Sequence, residues 1–557
     1  MIGYICKYAP VEILECMGTE VKRIEPSVTN FNQADMKMHP NICSFAKGVL
    51  EELSGGEYEG VLLTTCCDSI RRLYDVLKKE FPDKFIYLLD TPRISGEAAV
   101  ELYEKRIQKL VLAYQEFSGK MLDEEKLRAY MEKAKASPKL NLQKGAINIG
   151  ILGARANETI LEVLENKGVN TAFNLTCTGI RHQFEMTEEP ILRILSRGLL
   201  NQFPCMRMTD TANRDALIRK FADSVDGIIY HTVQFCDNYS YEYSWLKGIE
   251  KKPMLLLETD YTKQSYGQIL TRMEAFLESL GKEDKNKDKA IRRNGKVYVL
   301  GVDSGSTSTN AVIMDQDRNL IASKVIRTGA KSGESAERIL KEILSDAGLK
   351  REDLSRIVST GYGRVSIPYA DENVTEISCH GRGAHYFNNQ VRTILDIGGQ
   401  DSKAIHLNEK GEVTDFVMND KCAAGTGRFL EMIARTLEVE IGELGRIALE
   451  SKEHIEITSM CSVFAESEVI SLIANNKEKA DIAHGVCNAI SNKAFSLLKR
   501  VGLEETFMMT GGVAKNPGVV KCVEEKIHSK LYICEEPEIV GAVGAAIYAL
   551  DHFTGEA

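Results

Sequence analysis

The chain has no apolar run approaching the roughly 20 residues of a membrane-spanning helix. Its start, Met1-Ile-Gly-Tyr-Ile-Cys6, has neither a charged leader nor an apolar h-region. These absences point to a cytoplasmic protein with no membrane partner. A basic excess is also missing: 70 Lys and Arg stand against 80 Asp and Glu, a net charge of −10. Phosphate-backbone binding wants a basic face, so nucleic acid is excluded as the main partner. The single tryptophan and 12 prolines decide nothing. No Cys-x-x-Cys spacing occurs, so cysteine arithmetic alone makes only a weak case for a metal site. What is there instead is 14 cysteines in 557 residues of ordinary globular composition, enough chain for two to four domains. In a reducing compartment such cysteines are free thiols or metal ligands rather than disulfides, and several can be plain core residues.

The first half alternates strand and helix cues. Ile2–Cys6, Val11–Cys16 and Val21–Ile24 make a β-α-β opening; Glu59–Thr65 is a buried strand ending at Cys66-Cys67-Asp68-Ser69. A second unit of the same kind starts at Ala146-Ile-Asn-Ile-Gly-Ile-Leu-Gly153 and runs to Pro253–Glu258. The expected architecture is α/β, with two Rossmann-like doubly wound domains over 1–145 and 146–280. Six cysteines fall where these elements end: Cys43, Cys66, Cys67, Cys177, Cys205 and Cys236. Ligands collect at strand C-termini in open α/β sheets. Cys6 and Cys16, in a strand and a helix, read as packing residues.

Met1–Glu25, Asn41-Ile-Cys43, Cys67-Asp-Ser-Ile-Arg-Arg-Leu-Tyr74 and Phe235-Cys-Asp-Asn-Tyr-Ser-Tyr-Glu-Tyr243 resemble the cluster-bearing subunits of 2-hydroxyacyl-CoA dehydratases and benzoyl-CoA reductases. Pro204-Cys205-Met-Arg207-Met-Thr-Asp-Thr is similar to the double-cubane cluster proteins. The resemblance implies an iron–sulfur cluster and a small-molecule or acyl-CoA substrate. Six thiolates suit a double cubane; Cys43, Cys67 and Cys236, with or without Cys205, suit a single one.

Residues 281–296 are polar, dense in charge and aperiodic, which reads as a linker. Beyond it, residues 297–557 open with Val297–Asp315, a strand, the turn Ser304-Gly305-Ser306-Thr307 and a second strand. Backbone N–H groups and hydroxyls there suit phosphate oxygens, and Asp303 can hold Mg²⁺ through water. Thr393–Ile405 repeats the pattern with Asp396, Gly398, Gly399, Gln400, Asp401 and Lys403. Two such hairpins predict two similar half-domains facing one nucleotide. Gly511, Gly512 and Asn516, in a strand–glycine turn–helix, suit the nucleoside side. Cys422 precedes an amphipathic helix carrying Phe429, Ile433 and Leu437, and Cys461 precedes another; a helix N-terminus favours the thiolate.

These hairpins resemble the actin/hexokinase/Hsp70 ATPases. With Thr375-Glu-Ile-Ser-Cys379-His380, Asn419–Phe429 and Cys461–Ser471 they resemble, more specifically, the ATP-dependent activators of 2-hydroxyacyl-CoA dehydratase. That resemblance implies ATP or ADP with Mg²⁺, and one four-iron, four-sulfur cluster held by Cys422 and Cys461 of each subunit of a homodimer. Asp303, Asp396 and Gln400 are then the catalytic candidates. Gly305, Ser306, Thr307, Gly398, Gly399, Asp401, Lys403, Gly511, Gly512 and Asn516 are the nucleotide ligands. A ferredoxin or flavodoxin is the implied electron donor, and ATP-dependent low-potential electron transfer into the first half the implied activity. Asn310 departs from the family, which usually carries lysine there, so that cation must be absent or supplied elsewhere. Two rival readings stay open: a sugar-kinase-type small-molecule kinase, and a redox-sensing regulatory ATPase.

Overall fold

The computed structural model describes the chain except residues 135–139, 180–183, 210, 250, 263–265, 282–295, 330, 421–422, 458–461 and 555–557. The segment expected to be a linker therefore lies almost wholly outside the described residues. The chain divides into two compact units, Met1–Met273 and Glu274–Ala557.

The first unit holds two four-stranded parallel sheets. One is ordered β2-β1-β3-β4, from β1 (Ile2–Tyr4), β2 (Val21–Arg23), β3 (Gly60–Thr64) and β4 (Phe85–Leu89). The other is ordered β6-β5-β7-β8, from β5 (Asn148–Gly153), β6 (Asn170–Asn174), β7 (Gly227–Val233) and β8 (Met254–Thr259). β3 and β7 are buried along their whole length, as continuous apolar strands are when helices cover both faces of a parallel sheet. One core, containing Val61, Leu63, Leu152, Ile228 and Tyr230, draws on both sheets.

The second unit is built from one pattern used twice. One sheet is ordered β11-β10-β9-β12-β13, from β9 (Tyr298–Ser304), β10 (Ser308–Asp315), β11 (Leu320–Arg327), β12 (Leu354–Thr360) and β13 (Glu372–Asn373). The other is ordered β16-β15-β14-β17-β18, from β14 (Thr393–Ile397), β15 (Ser402–Leu407), β16 (Val413–Asn419), β17 (Phe507–Thr510) and β18 (Leu531–Tyr532). In each, an antiparallel hairpin is joined on its inner side by a parallel crossover strand. The registers match as well: Asp303 lies opposite Asn310, and Asp396 opposite Lys403. This is the duplicated half-domain plan of actin/hexokinase-like ATPases. The helix Val540–Thr554 packs its small residues, Ala542, Ala545 and Ala546, into the core with Val299 and Val312. Among the described residues, no helix is long and apolar enough to cross a membrane.

Candidate nucleotide and cysteine sites

In the second unit, the duplicated hairpins bring two carboxylates to the ends of β9 and β14. Asp396 is buried and bound on three sides: Lys403 Nζ at 3.1 Å, His380 Nε2 at 3.3 Å and the Thr510 hydroxyl at 2.9 Å. Burial alone would raise its pKa, but His380 and Lys403 hold it well below the usual carboxylate range. Asp303 is equally buried without an ion pair of that quality, and burial pushes it up to about 6 despite the neighbouring His380 and Lys403 charges. Burial opposes charge on His380, yet Asp396 and then Asp303 outweigh it and push the imidazole up to about 9. Lys403 also pairs with Asp401 at 2.6 Å. Asn310, the departure from the family pattern, instead donates its amide to the Glu538 carbonyl at 2.9 Å. The cation missing opposite Asp303 is thus present at the matching place in the other hairpin, as Lys403.

The turns close tightly. Gly305 N–H donates to the Ser308 carbonyl at 2.9 Å, and Ser306 projects from the turn, exposed. Gly398 N–H donates to the Asp401 carbonyl at 3.0 Å. A Cβ on Gly399 would occupy the space of the Thr307 side chain, so the two turns touch. A Cβ on Gly541 would fall 2.5 Å from Asp303 Oδ2 and 2.9 Å from His380 Cε1, which only glycine permits. The Ser304 and Thr307 hydroxyls are buried with no partner among the described residues. Orphaned hydroxyls beside two carboxylates and a lysine suit a magnesium–phosphate group. Gly511, at φ +83, donates to the Pro537 carbonyl at 2.9 Å, and Gly512 opens the short turn Gly512–Lys515. Asn516 caps the helix Pro517–Ile527 by accepting from Val519 N–H at 3.0 Å.

Cys422 and Cys461 lie outside the described residues, but the helix after Cys422, Gly427–Thr436, is described. Its first two N–H groups reach the phosphate turn: Gly427 N–H donates to the Gly398 carbonyl and Arg428 N–H to the Gly399 carbonyl, each at 2.9 Å. Gln400, with its amide turned to satisfy both groups, accepts from Arg428 Nε at 3.1 Å and Nη2 at 2.9 Å. Phe429, Ile433 and Leu437 are buried on one face, which fixes the helix in its core.

In the first unit, Cys43, Cys66, Cys67, Cys177, Cys205 and Cys236 all border one core. Cys67 and Cys43 immediately precede the helices Asp68–Glu80 and Ser44–Ser54, while Cys236 follows β7 through Phe235, held at φ +63. Cys67 raises the pKa of its neighbour Cys66, and Cys205 that of Cys177. The Tyr239 hydroxyl lies 3.5 Å from Cys177 Sγ and 3.4 Å from Cys205 Sγ. The neighbouring Cys177, followed by Arg207 and Lys7, outweighs burial and holds Cys205 well below the usual thiol range. Burial and the Cys43 charge push Cys236 up to about 12. Cys6, read from sequence as strand packing, lies past the end of β1, where burial and Cys66 raise its pKa and Arg207 lowers it. Cys16 ends the helix Val11–Cys16, away from this group.

Among the described residues, no three His, Cys, Asp or Glu side chains could hold a metal ion together. A polynuclear cluster spreads its thiolates wider than a single ion does, and the surroundings suit its negative charge. Arg207 donates Nη1 to the Thr65 carbonyl at 3.0 Å, while its buried Nε and Nη2 have no partner among the described residues. Lys7 Nζ, half-buried over the rings of Phe203 and Tyr8, donates to the Phe203 carbonyl at 2.6 Å. The thiol set with two such cations therefore fits an anionic cluster.

The sequence by itself gives no role to His380, Thr510 or Gly541 beside the aspartates, nor to Lys7 or Arg207 beside the thiols. A lone histidine in a buried helix has no periodic signature, and the partners of Lys7 and Arg207 are distant in sequence.

A model described as the BadF/BadG/BcrA/BcrD ATPase family matches residues 300–549. One described as 2-hydroxyglutaryl-CoA dehydratase, D-component, matches residues 6–146 and 142–280. The 2-hydroxyisocaproyl-CoA dehydratase activator of Clostridioides difficile is 42% identical over 255 residues, 46% of this chain and 96% of its own. The activator of lactoyl-CoA dehydratase of Anaerotignum propionicum is 44% identical over 255 residues, 46% of this chain and 98% of its own. The solved structure of the former activator with bound ADPNP is 41% identical and covers 46% of this chain and 96% of that one, with a TM-score of 0.45.

Proposed function

The chain belongs to the BadF/BadG/BcrA/BcrD ATPase family and carries a dehydratase D-component region ahead of the ATPase; from this we propose that it is a one-chain, ATP-driven injector of low-potential electrons joined to the reductase it serves. Residues 1–145 and 146–280 form the reductase, 281–296 the tether and 297–557 the ATPase. The site is cytoplasmic.

Iron–sulfur clusters, one held by Cys422 and Cys461 of two copies of the chain and one by the thiols of the first unit, supply the one-electron chemistry. Gly305, Ser306, Thr307, Gly398 and Gly399 cradle the nucleotide phosphates, and Asp401 and Lys403 support that turn. Asp303 holds Mg²⁺ through water, Asp396 fixes His380 and Lys403, and Gln400 lies at the γ-phosphate end. Gly511, Gly512 and Asn516 lie on the nucleoside side. ATP can drive the change only by binding one state more tightly than the other. The reading is carried by one observation: the phosphate turn is hydrogen-bonded, through Gly398 and Gly399, to the start of the helix that follows Cys422. A shift of that turn on hydrolysis pulls on the helix and changes the surroundings of Cys422. A ferredoxin or flavodoxin reloads the site, and the electron passes to a small-molecule or acyl-CoA substrate bound in the first unit.

The test is anaerobic purification of wild type and Cys422→Ser with an iron count, EPR and mass measurement in solution. The variant should lose the intersubunit cluster's share of the iron and shift from dimer to monomer. Full iron in a monomeric variant, or a phosphorylated product in place of electron flow, would sink the proposal.

A further inference from the structure

The helix Glu376–Phe387 carries His380 to Asp396, yet its own N-cap residue, Thr375, makes no side-chain cap bond. The cap comes from elsewhere. Glu278 accepts from Thr375 N–H at 3.2 Å and from the Thr375 and Ser378 hydroxyls. One helical turn earlier, Glu274 Oε2 takes Arg364 Nη2 at 2.7 Å, and Arg364 Nη1 reaches Glu376 Oε2, in the helix's first turn, at 3.4 Å. Both carboxylates sit on the last part of the helix Tyr266–Ser279, whose residues from Glu274 onward belong to the second unit. Glu278 lies outside residues 300–549, the stretch matched by the ATPase family. A carboxylate at a helix N-terminus satisfies otherwise orphaned N–H groups and the positive end of the helix dipole. His380 is tied to the same turn, since its Nδ1 bonds the Glu376 carbonyl at 2.8 Å.

We propose that Glu278, on the helix by which the chain enters the second unit, is a positioning residue of the nucleotide site, capping the helix that holds His380 between Asp303 and Asp396. The inference rests on the nucleotide-site reading above. The segment leading into the ATPase thereby becomes a working part of it: whatever displaces this helix loosens His380.

The test is a double-mutant cycle in the full chain, reading kcat and KM for ATP hydrolysis. Glu278→Ala should lower kcat roughly tenfold with KM held within about twofold, because His380 loses its position while the nucleotide contacts stay. Glu278→Gln keeps a carbonyl acceptor for Thr375 N–H and should restore kcat to within about threefold of wild type. His380→Asn should lower kcat on its own, and adding Glu278→Ala to it should lower kcat no further. If Glu278→Ala fails to fold, Glu278→Asp, whose shorter side chain withdraws the carboxylate, takes its place. An unchanged kcat in the Glu278 variant, or an undiminished effect on top of His380→Asn, overturns the proposal. Hydrolysis that survives His380→Asn instead overturns the nucleotide-site reading.

Discussion

Asp303 and Asp396 occupy the same place in two copies of one hairpin, yet their electrostatics are opposite. Asp396 has both His380 and Lys403 against it, Lys403 from across the ladder, whereas the residue across the ladder from Asp303 is Asn310. With a lysine and a histidine against it, Asp396 is locked as a carboxylate. Burial pushes Asp303 up to about 6 despite the His380 and Lys403 charges, and across the ladder it faces an asparagine rather than a cation. Duplication supplies symmetric geometry, and the residue across the ladder then differs between the two copies.

The largest expected effect comes from breaking the anchor. Asp396→Asn removes the carboxylate that Lys403 and His380 share, leaving Lys403 with Asp401 and His380 with the more distant charge of Asp303, a loss of about 3–5 kcal/mol for a broken buried pair. Chemical denaturation should show the second unit's midpoint collapsing; a midpoint within error of wild type would show that the pairing does not stabilise the fold. Next comes a pH dependence. His380 has a folded-state pKa of about 9, above its ordinary 6.5, so the folded state binds the extra proton. Its contribution is fully present below pH 6.5 and is lost as pH rises through about 9. In metal-free buffer the loss should approach 3 kcal/mol between those limits, and His380→Asn should flatten it. A wild-type stability unchanged from pH 6.5 to 9 would refute the assignment. The smallest effect sharpens the comparison itself. Asn310→Lys places a cation opposite Asp303 and should lower its pKa by about one unit. The acid limb of Mg²⁺-dependent nucleotide binding, near pH 6 in the wild type, should move down with it. An unmoved limb would mean that Asp303 does not govern metal binding.

The two cysteine groups differ in a similar way. Those of the first unit come from five separate stretches of chain, Cys66 and Cys67 sharing one, that border one core. Each is legible in the sequence as a cysteine at an element's end, but their convergence is not, because cysteine spacing carries no information on how two sheets pack. The Cys422 turn is legible in another sense. Its amphipathic helix follows at once, and Phe429, Ile433 and Leu437 are buried as the 3.6-residue period predicts.

By itself, the sequence determined the alternation that makes parallel sheets, the repeated strand–turn–strand of the ATPase, and the residue types at its turns. These are local properties, set by side-chain period and by glycine and hydroxyl chemistry within a few residues. Only the tertiary structure decided the rest: that Lys403 stands where the first hairpin has Asn310, that His380 joins both aspartates, and that Glu278 caps its helix. Lys403 is only seven positions from Asp396, but Glu278 lies about a hundred positions from the residues it caps, and His380 lies far in sequence from Asp303. The energies of these contacts come from burial and charge pairing, which no short stretch of sequence contains.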